Sequence, residues 1–394
     1  MDGQSPLTIE NWLWDMHGTR SLQRLDEFRP LERIGRGSGP VRDLPAAPVD
    51  LGGVELVDRA GATVTLEQHL ETSFTEGLLV LKHGAVAFER YRNGLRPDTR
   101  HLLASVTKSV TATVLGIAVG RGALRLGDRV ADVAPEFAGT SVEDATIQQM
   151  IDMTVGTGFD ETHDTIADPE QESQLVRFFR QTGTMPLGDA EPLGVLGLFR
   201  TLPQAYPHGE RFEYRTPLTC VVARILEVAT GRPYIELVSE DVWAPLGMEH
   251  DAAIVIDVGG FPFAGGGMTA TLRDVARYGQ AHLDGGVVDG RQVIPADWIA
   301  ATRDGSDDTR RAFAACPQLT DEDRAAWSEY RNAFWVAQPG RTYEALGLFG
   351  QVCRINEATG TVIARFSAQP MLERTEIGFE AQRAHAAIEA ALAG

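Results

Sequence analysis

A serine and a lysine three positions apart are the first candidates for chemistry in this 394-residue chain. Residues at this spacing share one face of a helix, so the amine of Lys108 could reach the hydroxyl of Ser105. A lysine held away from water has a lowered pKa and can accept a proton. A serine with such an amine and nearby backbone N–H donors is the working unit of hydrolases that form an acyl-enzyme. The same spacing also fits a surface helix with an N-cap serine and a solvated lysine.

The residues around Lys108 favour the hypothesis of a catalytic serine and lysine over that of a surface helix. Only two of the 36 basic residues are lysines, Lys82 and Lys108. Apolar residues flank the pair and make the helix apolar on much of its circumference, namely Leu102, Leu103, Ala104, Val110, Val114, Leu115 and Ile117. A lysine inside such a helix is costly to bury, which favours a functional role for its amine.

The stretch His101–Ser109 resembles the nucleophile helix of the serine hydrolases related to class C β-lactamases and penicillin-binding proteins. Within that family the sequence is most similar to 6-aminohexanoate-dimer (nylon oligomer) hydrolases and related carboxylesterases, from about residue 75 to 370. The resemblance implies an ester or amide hydrolase that needs no cofactor and no metal. Two alternatives stay open: a β-lactamase or D-alanyl peptidase, and a catalytically silent homologue that binds a ligand.

A second family element precedes a predicted helix at 219–230. The resemblance assigns Tyr214 as a proton shuttle hydrogen-bonded to Ser105 and Lys108, and Thr216 as a substrate-binding residue. The family motif is Tyr-x-Asn, and Thr216 stands here in place of its asparagine. A threonine at this position is similar to the nylon-oligomer branch and unlike typical β-lactamases. Without the resemblance, Tyr214 reads as an amphipathic residue at a helix start.

The third family element is a strand with a glycine, matched to Ala345-Leu346-Gly347. Gly347 would let a substrate lie close to the strand backbone, and the N–H groups of Leu348 and Ser105 would form the oxyanion hole. Ala345 stands where relatives that recognise a β-lactam carboxylate have lysine or histidine, which speaks against penicillin recognition. A plain core strand is the alternative interpretation.

The remaining binding residues rest on weaker local matches. Gly265 and Gly266 match a glycine turn that forms one wall of the family's cleft, although glycines also make ordinary tight turns. His163 falls where nylon-oligomer hydrolases carry a substrate-contacting tyrosine, and it would either bond a substrate amide or face solvent. Arg177 falls near the family's acidic residue for a substrate ammonium, so the pocket would favour an anionic or neutral acyl group.

Composition narrows the partners. The net charge of −19 repels phosphate backbones and anionic lipid, so we expect neither nucleic acid nor membrane as a partner. Three scattered cysteines and an N-terminus without a basic-then-apolar run predict reduced thiols in a cytoplasmic protein. The acidic pair Asp160-Glu161 reads as solvated loop charge. We expect a small-molecule ester or amide substrate, and a homodimer is the assembly to test.

Strand patterns lie early and late in the chain, with helical patterns between them. The run at 77–91 predicts a hairpin, and the segments 332–338, 347–356 and 361–367 predict strands. Apolar spacing predicts helices over 104–120, 219–230 and 271–283 and at the C-terminus.

This order predicts an α/β fold of the α+β type, similar to β-lactamases and penicillin-binding proteins. An antiparallel sheet flanked by helices would carry an inserted all-helical domain. The expected parts are an irregular extension at 1–50, a sheet domain from 51–124 and 285–394, and a mainly helical insertion at 125–284. The catalytic cleft would lie between sheet domain and insertion.

Overall fold

The computed structural model describes residues 6–13, 21–161, 173–338, 341–370 and 374–393. Its strands are β1 (Leu31–Ile34), β2 (Glu55–Val57), β3 (Thr63–Thr65), β4 (Thr75–Lys82), β5 (Ala85–Tyr91), β6 (His101–Leu102), β7 (Ala252–Val255), β8 (Met268–Ala270), β9 (Val287–Val288), β10 (Arg291–Gln292), β11 (Glu329–Arg331), β12 (Phe334–Gln338), β13 (Thr342–Gly347), β14 (Gln351–Asn356) and β15 (Thr361–Ser367).

The α-helices are α1 (Leu66–Thr72), α2 (Val106–Gly120), α3 (Val130–Val133), α4 (Ile147–Ile151), α5 (Gln174–Gln181), α6 (Gly194–Phe199), α7 (Thr216–Thr230), α8 (Tyr234–Leu237), α9 (Leu272–Leu283), α10 (Ala296–Asp304), α11 (Asp307–Ala314), α12 (Asp321–Ala326) and α13 (Arg374–Ala391). Within the described residues, no helix is both long enough and apolar enough to cross a membrane.

A seven-stranded antiparallel sheet joins the two ends of the chain, in the order β11-β12-β13-β14-β15-β4-β5. Successive residues of β4 point to opposite faces, as a strand requires. Leu79 and Leu81 belong to the main core on one face, where α9 packs, whereas Leu78 and Val80 pack in a second core with α1 and α13. The predicted antiparallel sheet with helices on its faces is confirmed.

The inserted segment is not purely helical. Its strands β7 and β8 form a small antiparallel sheet with β1 and β6, in the order β1-β7-β8-β6. The segment 1–50 was expected to be irregular. Its strand β1 nevertheless belongs to this sheet. These strands have two to four residues each, too few for a clear alternating pattern. The helix α9, expected within the insertion, packs on the large sheet.

The helix α2 is buried along most of its length and lies between the two parts of the fold. It packs against α7 on the helical side and against β13 of the large sheet. All residues from Val106 to Ala118 are buried. This position brings the start of α2 to the boundary where the cleft opens.

Candidate active site

Ser105 stands at the N-terminus of α2, on a backbone held in an unusual conformation. The preceding residue, Ala104, has a φ of 44°, in the left-handed region that residues with a side chain rarely adopt. The segment before it is tied to the small sheet, because the Leu103 N–H donates to the carbonyl of Met268 at 2.8 Å. This turn places the Ser105 hydroxyl at the mouth of the cleft.

Lys108 is fully buried beneath Ser105, with a relative exposure of 0%. Its Nζ lies 2.7 Å from the Ser105 hydroxyl and 2.6 Å from the carbonyl of Gly265. Burial lowers the pKa of Lys108 to about 8, while the carboxylate of Glu161 acts in the opposite direction. The alternative of a solvated lysine beside an N-cap serine is therefore wrong: within the described residues, the Ser105 side chain makes no capping bond.

Tyr214 lies two residues before α7, with its ring over the same amine. Lys108 Nζ is 4.9 Å from the ring centroid. The ring stacks on Trp335, with centroids 5.9 Å apart, and meets Tyr330 edge-on at 5.8 Å. These aromatic neighbours fix the position of Tyr214. Its role as a proton shuttle stays a prediction.

The start of α7 binds a carboxylate from a distant segment, that of Glu161. The helix begins at Thr216, earlier than the expected residue 219. The Thr216 hydroxyl donates to Glu161 Oε1 at 2.5 Å, and the Thr216 N–H donates to the other carboxylate oxygen. Reading Glu161 as a solvated loop charge was therefore wrong, because its carboxylate caps the positive end of the α7 dipole.

The glycine turn forms one wall of the site through a close backbone approach. A Cβ on Gly265 would lie 2.8 Å from the carbonyl oxygen of Thr216, so a larger residue would push the turn away from α7. This closeness lets the Gly265 carbonyl bind the amine of Lys108. Gly266 follows beside the ring of Phe263.

The end of β13 meets the nucleophile from the opposite side. A Cβ on Gly347 would lie 2.4 Å from the carbonyl oxygen of Leu103 and 3.1 Å from the backbone nitrogen of Ser105. Only glycine permits this approach without a shift of the backbone. Leu348, the next residue, lines the same cavity as Ser105, and an oxyanion hole made from these two N–H groups stays a prediction. Ala345 is buried in the core.

A cavity of about 730 Å³ opens in front of Ser105. It brings together most of the predicted site residues: Ser105, Tyr214, Thr216, Gly265, Gly266, Gly347 and Leu348. Its other walls are rich in aromatic side chains that the sequence analysis did not identify, including Trp12, Phe178, Phe212, Phe263, Trp335 and Phe349. Glu161 also lines it. These residues lie far apart in the chain, and no sequence motif connects them.

Two further binding residues were predicted from the sequence, His163 and Arg177. His163 lies outside the described residues. Arg177 is exposed on α5, whereas the neighbouring Phe178 and Phe179 of that helix line the cavity. Arg177 as a substrate-binding residue stays a prediction.

Metal and disulfide chemistry find no support in the described ranges. Those residues contain no group of three or more histidine, cysteine, aspartate or glutamate side chains that could hold a metal ion. The cysteines Cys220, Cys316 and Cys353 are all buried and free. Burial raises the pKa of Cys220 to about 12, so its thiol stays protonated and unreactive at neutral pH.

The site holds a serine that is hydrogen-bonded to a buried lysine, at the boundary between an antiparallel sheet and a helical region. This arrangement defines a serine hydrolase. The beta-lactamase family model matches residues 65–387 of this chain. A 6-aminohexanoate-dimer hydrolase from Paenarthrobacter ureafaciens is 32% identical over 367 residues, which cover 92% of this chain and 88% of that protein. The chain therefore belongs to the beta-lactamase family.

Solved structures agree with this assignment. A Bacillus anthracis protein provisionally named 6-aminohexanoate-dimer hydrolase is similar with a TM-score of 0.88 and 25% identity, covering 99% of both chains. A family VIII carboxylesterase is similar with a TM-score of 0.54 and 15% identity over 80% of this chain and 97% of that one. The second likeness concerns the fold alone.

Proposed function

We propose that this protein hydrolyses an ester or amide bond of a small molecule through an acyl-enzyme on Ser105. The observation that carries the proposal is the 2.7 Å contact between the Ser105 hydroxyl and the buried amine of Lys108. A lysine with a pKa of about 8 is partly neutral near neutral pH and can accept the serine proton.

The reaction would proceed in two halves. Ser105 Oγ attacks the substrate carbonyl, and its proton passes to Lys108. The N–H groups of Ser105 and Leu348 stabilise the developing oxyanion. As the bond to the leaving group breaks, Lys108 and Tyr214 deliver the proton to the leaving oxygen or nitrogen. Water then attacks the acyl-enzyme, passes its proton to the same groups, and releases the carboxylic acid and a free Ser105.

The relatives and the cavity support a proposal for the substrate class. A relative covering most of this chain is named for the 6-aminohexanoate dimer, a linear amide, and the cavity walls are largely apolar and aromatic. We infer a substrate with an extended aliphatic acyl chain. A cytoplasmic location and a homodimer stay predictions from the sequence.

Turnover of a p-nitrophenyl ester tests the proposal. Ser105→Ala should lower kcat at least about 10³-fold, since the nucleophile is removed. Ser109→Ala is the matched control, because Ser109 is buried one turn along α2 and donates to the Ala333 carbonyl at 2.7 Å. Its activity should stay within about threefold of wild type. Ester turnover that survives in Ser105→Ala would remove Ser105 from the mechanism.

The two alternatives give different outcomes. A β-lactamase would hydrolyse nitrocefin, and we expect no turnover because Ala345 replaces the cationic or imidazole group that meets a β-lactam carboxylate. A silent ligand-binding homologue would fold normally and show no turnover of any ester.

A further inference from the structure

The cavity contains a buried cation that the proposed hydrolysis does not use. Arg29 lies just before β1 and is 6% exposed. Its Nη2 donates to the Thr182 carbonyl at 2.7 Å, and its guanidinium carbon lies 5.9 Å from the ring centroid of Trp12. Arg29 lines the cavity, yet its buried Nε–H has no partner among the described residues. A buried donor without a partner is costly, and this one belongs to a cationic side chain that lines an open cavity.

Arg29 also differs from three of the four other buried arginines of the described chain. Three of these form ion pairs: Arg215 with Glu213, Arg277 with Asp274, and Arg354 with Glu344 and Glu389. The fourth, Arg365, resembles Arg29: it lines the same cavity, and its Nη1 has no partner among the described residues. Burial lowers the pKa of Arg365 to about 10, although the carboxylate of Glu380 acts in the opposite direction. For Arg29, burial lowers the pKa to about 9, so the side chain stays protonated at neutral pH, and within the described residues no carboxylate pairs with it.

The walls around Arg29 are apolar. We call this part of the cavity the acyl end and define it by Arg29, Trp12, Phe178, Phe179 and Phe349. The Trp12 ring meets Phe349 edge-on at 6.4 Å, and its Nε1–H donates to the Thr184 carbonyl at 2.8 Å. Largely apolar walls beside a cation suit an alkyl chain that ends in an anion.

Catalysis sets the direction in which a substrate lies. The leaving group must receive its proton from Lys108 and Tyr214, so it lies toward Tyr214 and its stacking partner Trp335. We call that side the proton-transfer end. The acyl chain must then extend the other way, past Phe349, which follows the predicted oxyanion residue Leu348 and touches Trp12.

We propose that Arg29 binds a carboxylate at the far end of the acyl chain, so that the preferred substrates are esters or amides of linear dicarboxylic acids. This inference rests on the proposed hydrolysis at Ser105. A guanidinium recognises a carboxylate through charge-assisted hydrogen bonds and repels an ammonium. A 6-aminohexanoyl chain, which ends in an ammonium, is therefore a poor substrate.

Three p-nitrophenyl esters of similar length test the charge preference. The mono-ester of adipic acid ends in a carboxylate, the 6-methylheptanoate ester is a neutral match in shape, and the 6-aminohexanoate ester ends in an ammonium. For wild type we expect kcat/KM for the adipate ester to exceed that for the neutral ester at least about tenfold, with the ammonium ester slowest. Mono-esters of pimelic and suberic acid locate the best chain length. Equal rates for charged and neutral esters at every length would overturn the proposal.

Substitutions assign the preference to Arg29. In Arg29→Gln the preference for the adipate ester should fall to within twofold, while turnover of the neutral ester stays within about threefold of wild type. Arg29→Lys should keep part of the preference, and it serves if Arg29→Gln does not fold. Arg125→Gln is the matched control, since that arginine has an exposed side chain and does not line the cavity, and its preference should equal that of wild type. A preference that persists in Arg29→Gln, or disappears in Arg125→Gln, contradicts the assignment.

Calorimetric titration with monomethyl adipate separates this inference from the proposed function. We expect binding to Ser105→Ala, at least tenfold weaker when Arg29→Gln is added. That result would uphold the carboxylate site even if no ester were turned over. Turnover of the neutral ester without any carboxylate preference would instead uphold the hydrolase and refute the site at Arg29.

Discussion

A buried cation lies at each end of the cavity, and the two cations have different surroundings. At the proton-transfer end, Lys108 has the Ser105 hydroxyl and the Gly265 carbonyl as partners, and burial brings its pKa to about 8. At the acyl end, Arg29 keeps its charge, and its Nε–H has no partner in the part of the chain that the structure describes. A lysine can lose its proton and act as a base, whereas an arginine stays charged and can only bind. The choice of cation therefore separates catalysis from recognition within one cavity.

The strongest test of the proton-transfer end is the removal of its base. Lys108→Met should lower kcat/KM by about 10³- to 10⁴-fold, because within the described residues no other amine is hydrogen-bonded to the Ser105 hydroxyl. Lys108→Arg should fail almost as badly, since a guanidinium does not deprotonate. Steady-state kinetics on a neutral ester measures both. Activity of Lys108→Arg close to wild type would contradict the role of Lys108 as a base.

The substitution Lys108→Met should also stabilise the fold. With a folded pKa near 8 against an ordinary 10.5, Lys108 disfavours folding at pH values below 8, and this penalty fades as pH rises from about 8 to 10.5. Lys108→Met should therefore raise the free energy of unfolding at pH 7 by about 1–3 kcal/mol and lose this advantage at alkaline pH. Denaturant unfolding at pH 7 and pH 10 checks both signs.

Filling the approach between β13 and α2 should be nearly as damaging as losing the base. In Gly347→Ala the new Cβ would collide with the Leu103 carbonyl and crowd the Ser105 nitrogen. We expect kcat to fall by about 10²- to 10³-fold, as when an oxyanion donor is lost. Gly53→Ala is a control, because a Cβ there meets no atom within 4 Å and Gly53 does not line the cavity. Near wild-type kcat in Gly347→Ala would contradict the predicted oxyanion hole.

Removing the Tyr214 hydroxyl tests whether the ring only packs. Tyr214→Phe keeps the stack on Trp335 and should lower kcat about 10²-fold if the hydroxyl relays a proton. The loss should be larger for an anilide than for a p-nitrophenyl ester, whose leaving group needs no proton. Equal, small losses on both substrates would limit Tyr214 to a packing role.

The smallest effect is expected at Glu161. Wild-type kcat/KM should rise with pH through about 8, as Lys108 loses its proton. Glu161 raises the pKa of Lys108, so Glu161→Gln should move this rise to lower pH, with less than about a tenfold loss at its maximum. A pH profile of kcat/KM measures the shift. Movement toward higher pH would contradict the electrostatic link between the two residues.

The parts of the molecule that sequence could predict are those defined within one element. The hairpin of β4 and β5 and the Ser105–Lys108 spacing are local, so patterns within a few residues were enough. The carboxylate of Glu161 reaches Thr216 across 55 positions, and Arg29 reaches Thr182 across 153. No periodicity encodes such contacts. The short strands β1, β7 and β8 were missed for a related reason: their pairing, which places Arg29, depends on partners far away in the chain.

Intact-mass spectrometry after treatment with a fluorophosphonate tests the central claim, that Ser105 is an activated nucleophile. We predict a single adduct on wild type and on Ser109→Ala, mapped by peptide analysis to residue 105, and none on Ser105→Ala. An adduct that persists in Ser105→Ala, or a folded wild-type protein that does not react, would contradict the claim.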